Sequence, residues 1–181
     1  MKKAFKITGI TFLILLALLV AIPFAFQGKL KDMVKTVIND NLNAKVEFSN
    51  VSLSFIRSFP QAHVTVEDLM ITNFKPFEGE TFISAKYIAF EMSIKELFKN
   101  VSKEAIVVNS ISVEEAVLTL KTDALGNTKY DIAKEKEITQ VTADSSSGFN
   151  FDIKDYSIKN SALTYIDETS KTRMYITELN H

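Results

Sequence analysis

The side chains able to do acid–base, nucleophilic or metal chemistry are few and scattered along this chain. There are two histidines. His63 falls in an alternating stretch on its polar side, and His181 is the last residue. A zinc site needs clustered nitrogen or sulfur ligands at short spacing, which two remote histidines cannot supply. Cysteine is absent, so there is neither a thiolate ligand nor a disulfide. Glu114–Glu115 and Asp167–Glu168 are adjacent acids. Neighbouring strand residues point to opposite faces, so neither pair converges on one substrate as general acid and base. They read as turn or solvated positions. Ser145 to Ser147 lack the G-x-S-x-G elbow and any histidine nearby. Gly79 and Gly126 are isolated turn glycines, not a phosphate-binding loop. Asn50-Val-Ser52 and Asn100-Val-Ser102 match the glycosylation sequon, a pattern common by chance. The expectation is a protein that is not an enzyme and uses no cofactor or metal.

The elements around these residues are more informative. Ile7 to Phe26 (ITGITFLILLALLVAIPFAF) carries no charge, and Lys2, Lys3 and Lys6 precede it. As a helix the run covers about 30 Å of hydrocarbon, and its central Leu, Ile, Phe and Val residues supply roughly −5 kcal/mol toward insertion. A cleaved signal peptide has a shorter apolar core and a small-x-small site. Here bulky Phe24 and Phe26 flank Ala25, so the segment reads as an uncleaved signal-anchor, residues 1–27. Lys29, Lys31 and Lys35 follow the span and weaken the charge bias. The short basic leader nevertheless favours an N-terminus in the cytoplasm, with the bulk of the chain across the membrane.

About 150 of the 181 residues remain beyond this anchor, enough for one domain with a core. The net charge of −1 gives no electrostatic basis for nucleic-acid binding. A small exported domain without disulfides rests on its core or on a partner, which suits a Gram-negative periplasm. Gly28 to Asn43 places Leu30, Met33, Val34, Val37, Ile38 and Leu42 on one helical stripe, opposite Lys29, Lys31, Lys35 and Asp40. Such a helix can lie on the membrane surface or cap the sheet that follows, and the second is the commoner use of a one-sided helix.

From Lys45 the period changes to two. Val46 and Phe48, then Val51, Leu53 and Phe55, then Ala62, Val64 and Val66 alternate with polar neighbours. The phase slips at Glu67–Asp68, which predicts a β-bulge, and shifts again at Glu114–Glu115. Ile88, Phe90, Met92 and Ile94 share one face, and Tyr87, Ala89, Glu91 and Ser93 share the other. Ile94 to Asn100 reads as a helical turn, Asp123 to Asn127 as a tight turn, and 134–148, ending in Ser-Ser-Ser-Gly, as a polar linker. Alternation resumes over Phe149, Phe151 and Ile153, then in three further stretches to Leu179. Hairpin-like units recur as a weak internal repeat. The expected fold is α+β and mainly β: a transmembrane helix, an amphipathic helix, and a curled antiparallel half-groove with short helical turns. The expected divisions are 1–27, 28–133, 134–148 and 149–181. Alternating strands bury one face each. With few helices to cover it, such a sheet must curl, dimerise or hold something apolar.

VEFSNVSLSFIRSFP (Val46 to Pro60), placed after an anchor and an amphipathic helix, resembles the start of an AsmA-family protein. Phe74 to Phe98, Ile111 to Ile132, and YSIKNSALTYIDETSKT from Tyr156 agree with it in the same order. The pattern is most similar to versions from Bacteroidota. The resemblance implies an inner-membrane, single-pass protein with a periplasmic β-groove, related to bridge-like lipid-transfer proteins, and a part in phospholipid transport and outer-membrane or envelope assembly. Two departures stand out: Ala116 replaces a proline common in relatives, and family chains are usually several times longer, so this chain reads as an N-terminal portion of such a protein.

The corresponding physics is that an acyl chain leaving the bilayer loses roughly 0.8 kcal/mol per methylene unless another apolar surface covers it. Ile88, Phe90, Met92 and Ile94, with Leu118, Leu120, Phe149 and Phe151, are the candidate lipid-contact residues; each could equally pack a core. The expected partners are the membrane, through Ile7 to Phe26, then phospholipid and envelope proteins, with no nucleic acid. The alternative is an anchored structural or protein-binding β-domain that moves no lipid.

Overall fold

The computed structural model describes residues 2–99, 106–134 and 149–181. The segment 135–148, most of the predicted linker, lies outside the described residues, as do some side chains within helix and strands, including those of Phe149 and Phe151. One α-helix, α1 (Lys2–Asn41), precedes eight strands of a single sheet. These are β1 (Ala44–Glu47), β2 (Asn50–Ser54), β3 (Gln61–Asn73), β4 (Thr81–Ser93), β5 (Ile106–Thr122), β6 (Phe149–Lys159), β7 (Ser161–Asp167) and β8 (Thr172–Leu179). A 3₁₀ turn, Ile94–Phe98, follows β4 and is capped by Ser93, whose side chain accepts from the Lys95 amide.

Two expectations are corrected. The anchor and the amphipathic segment are one continuous helix, running through Pro23 and Gly28. Glycine inside a helix costs only about 1 kcal/mol relative to alanine, less than the packing of Leu30 and Met33 on the main core supplies. The sheet is mixed, not antiparallel, because β5 pairs parallel with both β6 and β7. Thr122 and Phe149 stand at opposite ends of the sheet, so the chain between them is the crossover that parallel neighbours require. What reads as a linker in the sequence is therefore the connection that sets the topology. The strand path β1–β3–β4–β5–β7–β8 ends in open edges.

β2 extends β1 along β3, and β7 extends β6 along β5, so eight strands form six lines. Each line is interrupted at the same level. Asp68 in β3, Lys86 in β4 and Glu115 in β5 face one another outside the paired register. Asp68, Glu115, Asn160 and Glu178 all have positive φ, between 47 and 54°. The phase slips at Asp68 and Glu115 thus belong to one crease running across the sheet, where the register is kept; the register shift between β3 and β4 lies at Ile71–Thr72.

The C-terminal third of α1 packs on one face. Leu30 and Met33 join Val51, Leu53, Phe55, Val64, Val66, Met92, Leu97, Ile106 and Val108 in the main core. The helix passes from Phe26, whose ring meets Phe98 after β4, to Asn41, and the next residue, Leu42, is bridged to Ala133. The amphipathic stripe therefore covers the sheet, in keeping with the commoner use of such helices, and the uncharged part of α1 projects past the end where β2 stops and β3 begins.

Candidate functional site

The strand register sorts side chains into rows perpendicular to the strands, because directly paired residues share a face. One face carries apolar rows. Leu53, Val64, Phe90, Ile111 and Tyr156 form one row, and Val51, Val66, Ile88, Val113 and Ile158 form the next. Beyond the crease, Val46, Ile71, Ile83, Leu118, Leu163 and Ile176 make a row crossing all six lines. Leu120, Tyr165 and Met174 lie one row further.

The opposite face is wet. Ser54, His63, Glu91, Ser110 and Asp155 form one of its rows, and Ser52, Thr65, Ala89, Ser112 and Ser157 another. All of these but Asp155 floor an open trough of about 720 Å³ rimmed by Arg57 and Lys159. Here His63 meets Ser58 and Glu91, a combination the sequence does not reveal because strand pairing assembles it. Ser58 donates directly to Glu91 in a short bond, and both contact the same imidazole nitrogen, Nδ1, at 3.4 Å. A nucleophile relay needs the hydroxyl and the carboxylate on different ring nitrogens. This trio therefore ties the β2–β3 loop to β4. Among the described residues no group of three or more His, Cys, Asp or Glu could hold a metal.

The predicted contact residues separate into three sets. Ile88, Phe90 and Met92 line a cavity of about 130 Å³ between α1 and the sheet, walled only by apolar side chains, among them Leu30, Val34, Ile38 and Val66. Ile94 has left the strand for the 3₁₀ turn but still packs on the main core. Leu118 and Leu120 lie on the same face beyond the reach of the helix and are half-buried. Phe149 and Phe151 pair through their backbones with Ile106 and Val108, and their side chains lie outside the described residues.

Exposure along each row rises with distance from α1. In the first row Leu53 and Val64 are buried and Tyr156 is 57% exposed. At the open edge Met174 and Ile176 are 48% and 38% exposed. The sequence named β4 and β5 residues on this face but missed Leu163, Met174 and Ile176. Their alternation was visible; their place on the uncovered face follows from the parallel pairing.

Polar groups close the end of the sheet remote from Phe26. Glu80 bridges Lys121 at 3.1 Å and Lys129 at 3.2 Å. Burial works to raise its pKa, but the two lysines outweigh it and hold the carboxyl below its ordinary value. Asn73 donates to the Lys129 carbonyl at 2.7 Å, and its Oδ1 has no partner. These bonds fix the turn after β3 to the segment after β5. With Glu168 3.7 Å from Lys121, two carboxylates face two lysines, and the group forms a clasp with opposite charges matched.

The model of the AsmA family matches residues 1–180. The chain belongs to the AsmA family. No curated protein and no solved structure matched it. Membership points to a role in the cell envelope. Within α1 the stretch Lys6–Thr36 is long and apolar enough to span a membrane, and the side chains of Phe12 and Leu13 in it are exposed. This AsmA protein thus joins one candidate membrane span to a sheet whose apolar face is only partly covered.

Proposed function

We propose that this protein handles phospholipid at the inner membrane, holding acyl chains on the part of the sheet face that α1 leaves uncovered, without chemical conversion of the lipid. In this reading the N-terminus is cytoplasmic, the sheet is periplasmic, and the protein serves phospholipid transport and envelope assembly. The observation that carries the reading is the continuity of the apolar rows past the helix to exposed Ile176 and Met174 at the edge. Ile71 in the longest row lines the helix-walled cavity; from Ile83 to Ile176, three inter-strand spacings of about 4.8 Å leave about 14 Å of the row, close to the depth of one hydrocarbon leaflet, about 15 Å. One acyl chain can lie along it. The lipid-contact set is then Leu118, Leu120, Leu163, Tyr165, Met174 and Ile176. Ile88, Phe90, Met92 and Ile94 lie beside it under the helix, and Phe149 and Phe151 remain candidates on β6.

The test is a photo-crosslinking amino acid at Leu163 or, as control, at Thr164 on the opposite face, in the full chain within its membrane. Phospholipid adducts identified by mass spectrometry are expected at Leu163 and not at Thr164. Equal yields at both positions, or none at Leu163, would end the proposal. A second reading has one observation of its own: among the described residues β8 pairs only with β7, so its outer edge offers backbone groups to a strand of another protein. Protein adducts at Tyr175, with none to lipid at Leu163, would favour that reading.

A further inference from the structure

The end of the sheet nearest the membrane-spanning part of α1 carries large apolar side chains that point away from the core. Gln61 at the start of β3 pairs with Ser93 at the end of β4, so the β2–β3 loop and the 3₁₀ turn hang from the same end. In the loop Ile56 and Phe59 are 66% and 70% exposed, and in the turn Phe98 is 61% exposed. Their neighbours explain why the backbone holds them there. The amides of Ile56 and Arg57 donate to Ser54 Oγ, Phe55 and Leu97 are buried in the main core, and Ser58 is tied to Glu91. The loop and turn are thus pinned from inside, with apolar groups outward.

This end is also where α1 leaves the sheet. The Phe26 ring, last in the uncharged run, lies 5.5 Å from the Phe98 ring, edge to face. Lys29 Nζ sits 5.6 and 5.7 Å from the two ring centroids. Arg57 and Lys95 are exposed beside the apolar groups and make no ion pair with any described residue. Apolar side chains beside unpaired cations match the boundary of an anionic bilayer, where acyl tails lie below the phosphates.

We propose that the β2–β3 loop and the 3₁₀ turn form a second membrane contact: Ile56, Phe59 and Phe98 enter the headgroup–acyl boundary while Arg57, Lys95 and Lys29 meet lipid phosphates. The occupant is the same bilayer that α1 crosses. The inference rests on α1 being a membrane span. The contact would hold the sheet upright on the membrane and set the height of its apolar rows above the leaflet.

Because the chain has no cysteine, single cysteines can be labelled without background. Full-length protein carrying Ile56→Cys, Phe59→Cys, Phe98→Cys, Leu13→Cys or Leu125→Cys is labelled with bimane and reconstituted with lipids bearing a nitroxide near the headgroup or at mid-chain. Leu13→Cys reports the span, and Leu125→Cys reports a turn at the far end of the sheet, where Leu125 is 88% exposed. The expected result is at least twofold quenching at positions 56, 59 and 98 by the shallow nitroxide, with none at 125. Quenching at 13 with positions 56, 59 and 98 as bright as 125 would overturn the second contact and leave the span intact. No quenching at 13 would remove the span and the contact with it. Crosslinking of 56 or 59 to a second copy, without quenching, would assign the patch to self-association and overturn the proposal. For the cations, Arg57→Gln combined with Lys95→Gln is expected to lower the docked-to-free ratio about fivefold per charge on phosphatidylglycerol-containing vesicles, given about 1 kcal/mol per cation at such a surface. Unchanged docking there would remove the phosphate contacts from the proposal.

Discussion

Placing aspartate at Leu163 separates an acyl-binding surface from an ordinary core. Leu163 is flanked by Leu118 and Ile176 in the longest apolar row and is half-buried without cover from α1. A carboxylate there can keep its water, so the cost to the fold should stay near 1–2 kcal/mol. It would, however, hydrate the middle of the uncovered stretch. If about four methylenes of a bound chain lose their apolar contact at roughly 0.8 kcal/mol each, binding weakens by about 3 kcal/mol, on the order of a hundredfold. Val64→Asp is the counterpart, at a position 3% exposed between Leu53 and Phe90 under the helix. An unpaired buried carboxylate costs several kcal/mol, a large part of the 5–15 kcal/mol that a domain of this kind has. The assay is the photo-crosslinking yield of a diazirine phospholipid, titrated by mole fraction, beside guanidinium unfolding followed by circular dichroism. Leu163→Asp should lose lipid and keep its fold; Val64→Asp should lose the fold. Wild-type lipid yield in a folded Leu163→Asp protein would refute the reasoning. Equal destabilisation by both would make the uncovered rows core.

Leu30→Ala removes a buried side chain that seats α1 on the sheet beside the 130 Å³ cavity. It should cost about 2–5 kcal/mol, read by denaturant unfolding, with hydrogen exchange rising first in β2 to β4. Asp167 anchors the β7–β8 turn by accepting from the Thr169 hydroxyl and the Ser170 amide, and the Thr169 hydroxyl first among these bonds lowers its pKa from 3.8 to about 2. The folded carboxyl is the stronger acid. Its contribution to stability is therefore full above pH 4 and lost as pH falls toward 2; a carboxyl NMR titration with a midpoint near 4 would contradict it, and Asp167→Asn should flatten that part of the stability curve. Glu115 has a φ of 50° in an exposed position. Glu115→Gly should raise the melting temperature by a few degrees despite the loss of the Lys86 contact, and Glu115→Val should lower it.

Much of the apolar face was legible because period-two alternation reports directly which side chains share it. Both phase slips marked true irregularities, at Asp68 and Glu115, since an extra residue inverts the alternation beyond it. The parallel pairing of β5 was not legible. A half-buried strand alternates in the same way whatever the direction of its neighbour, and the distinguishing feature was the length of the connection, which reads equally well as a linker. The single helix was hidden for a different reason. Its anchor and its amphipathic part differ in composition, but neither Pro23 nor Gly28 supplies enough local cost to end it. Ser58, His63 and Glu91 are 5 and 28 residues apart in successive steps along the chain, so only the register of β3 on β4 brings them together. Ile94 kept its apolar neighbours while leaving the strand, which alternation alone cannot show.

The crease explains how one apolar face survives across six lines. A left-handed conformation costs a non-glycine residue roughly 1–2 kcal/mol, yet Asp68, Glu115, Asn160 and Glu178 all adopt it at one level. An extra residue in one strand alone would turn every later side chain of that strand to the other face relative to its neighbours. Extra residues at the same level in every strand keep the phase matched. Val66 and Leu69, Val113 and Ala116, and Ile158 and Leu163 accordingly remain on the apolar face on both sides of the break. Matching Asp68 and Glu115 with Lys86, which bridges Glu115 at 3.1 Å, places the polar residues of the crease where they can meet water and one another. The result is a sheet whose apolar surface passes both the crease and the edge of the helix without reversing, the condition for one continuous surface along which an acyl chain could lie.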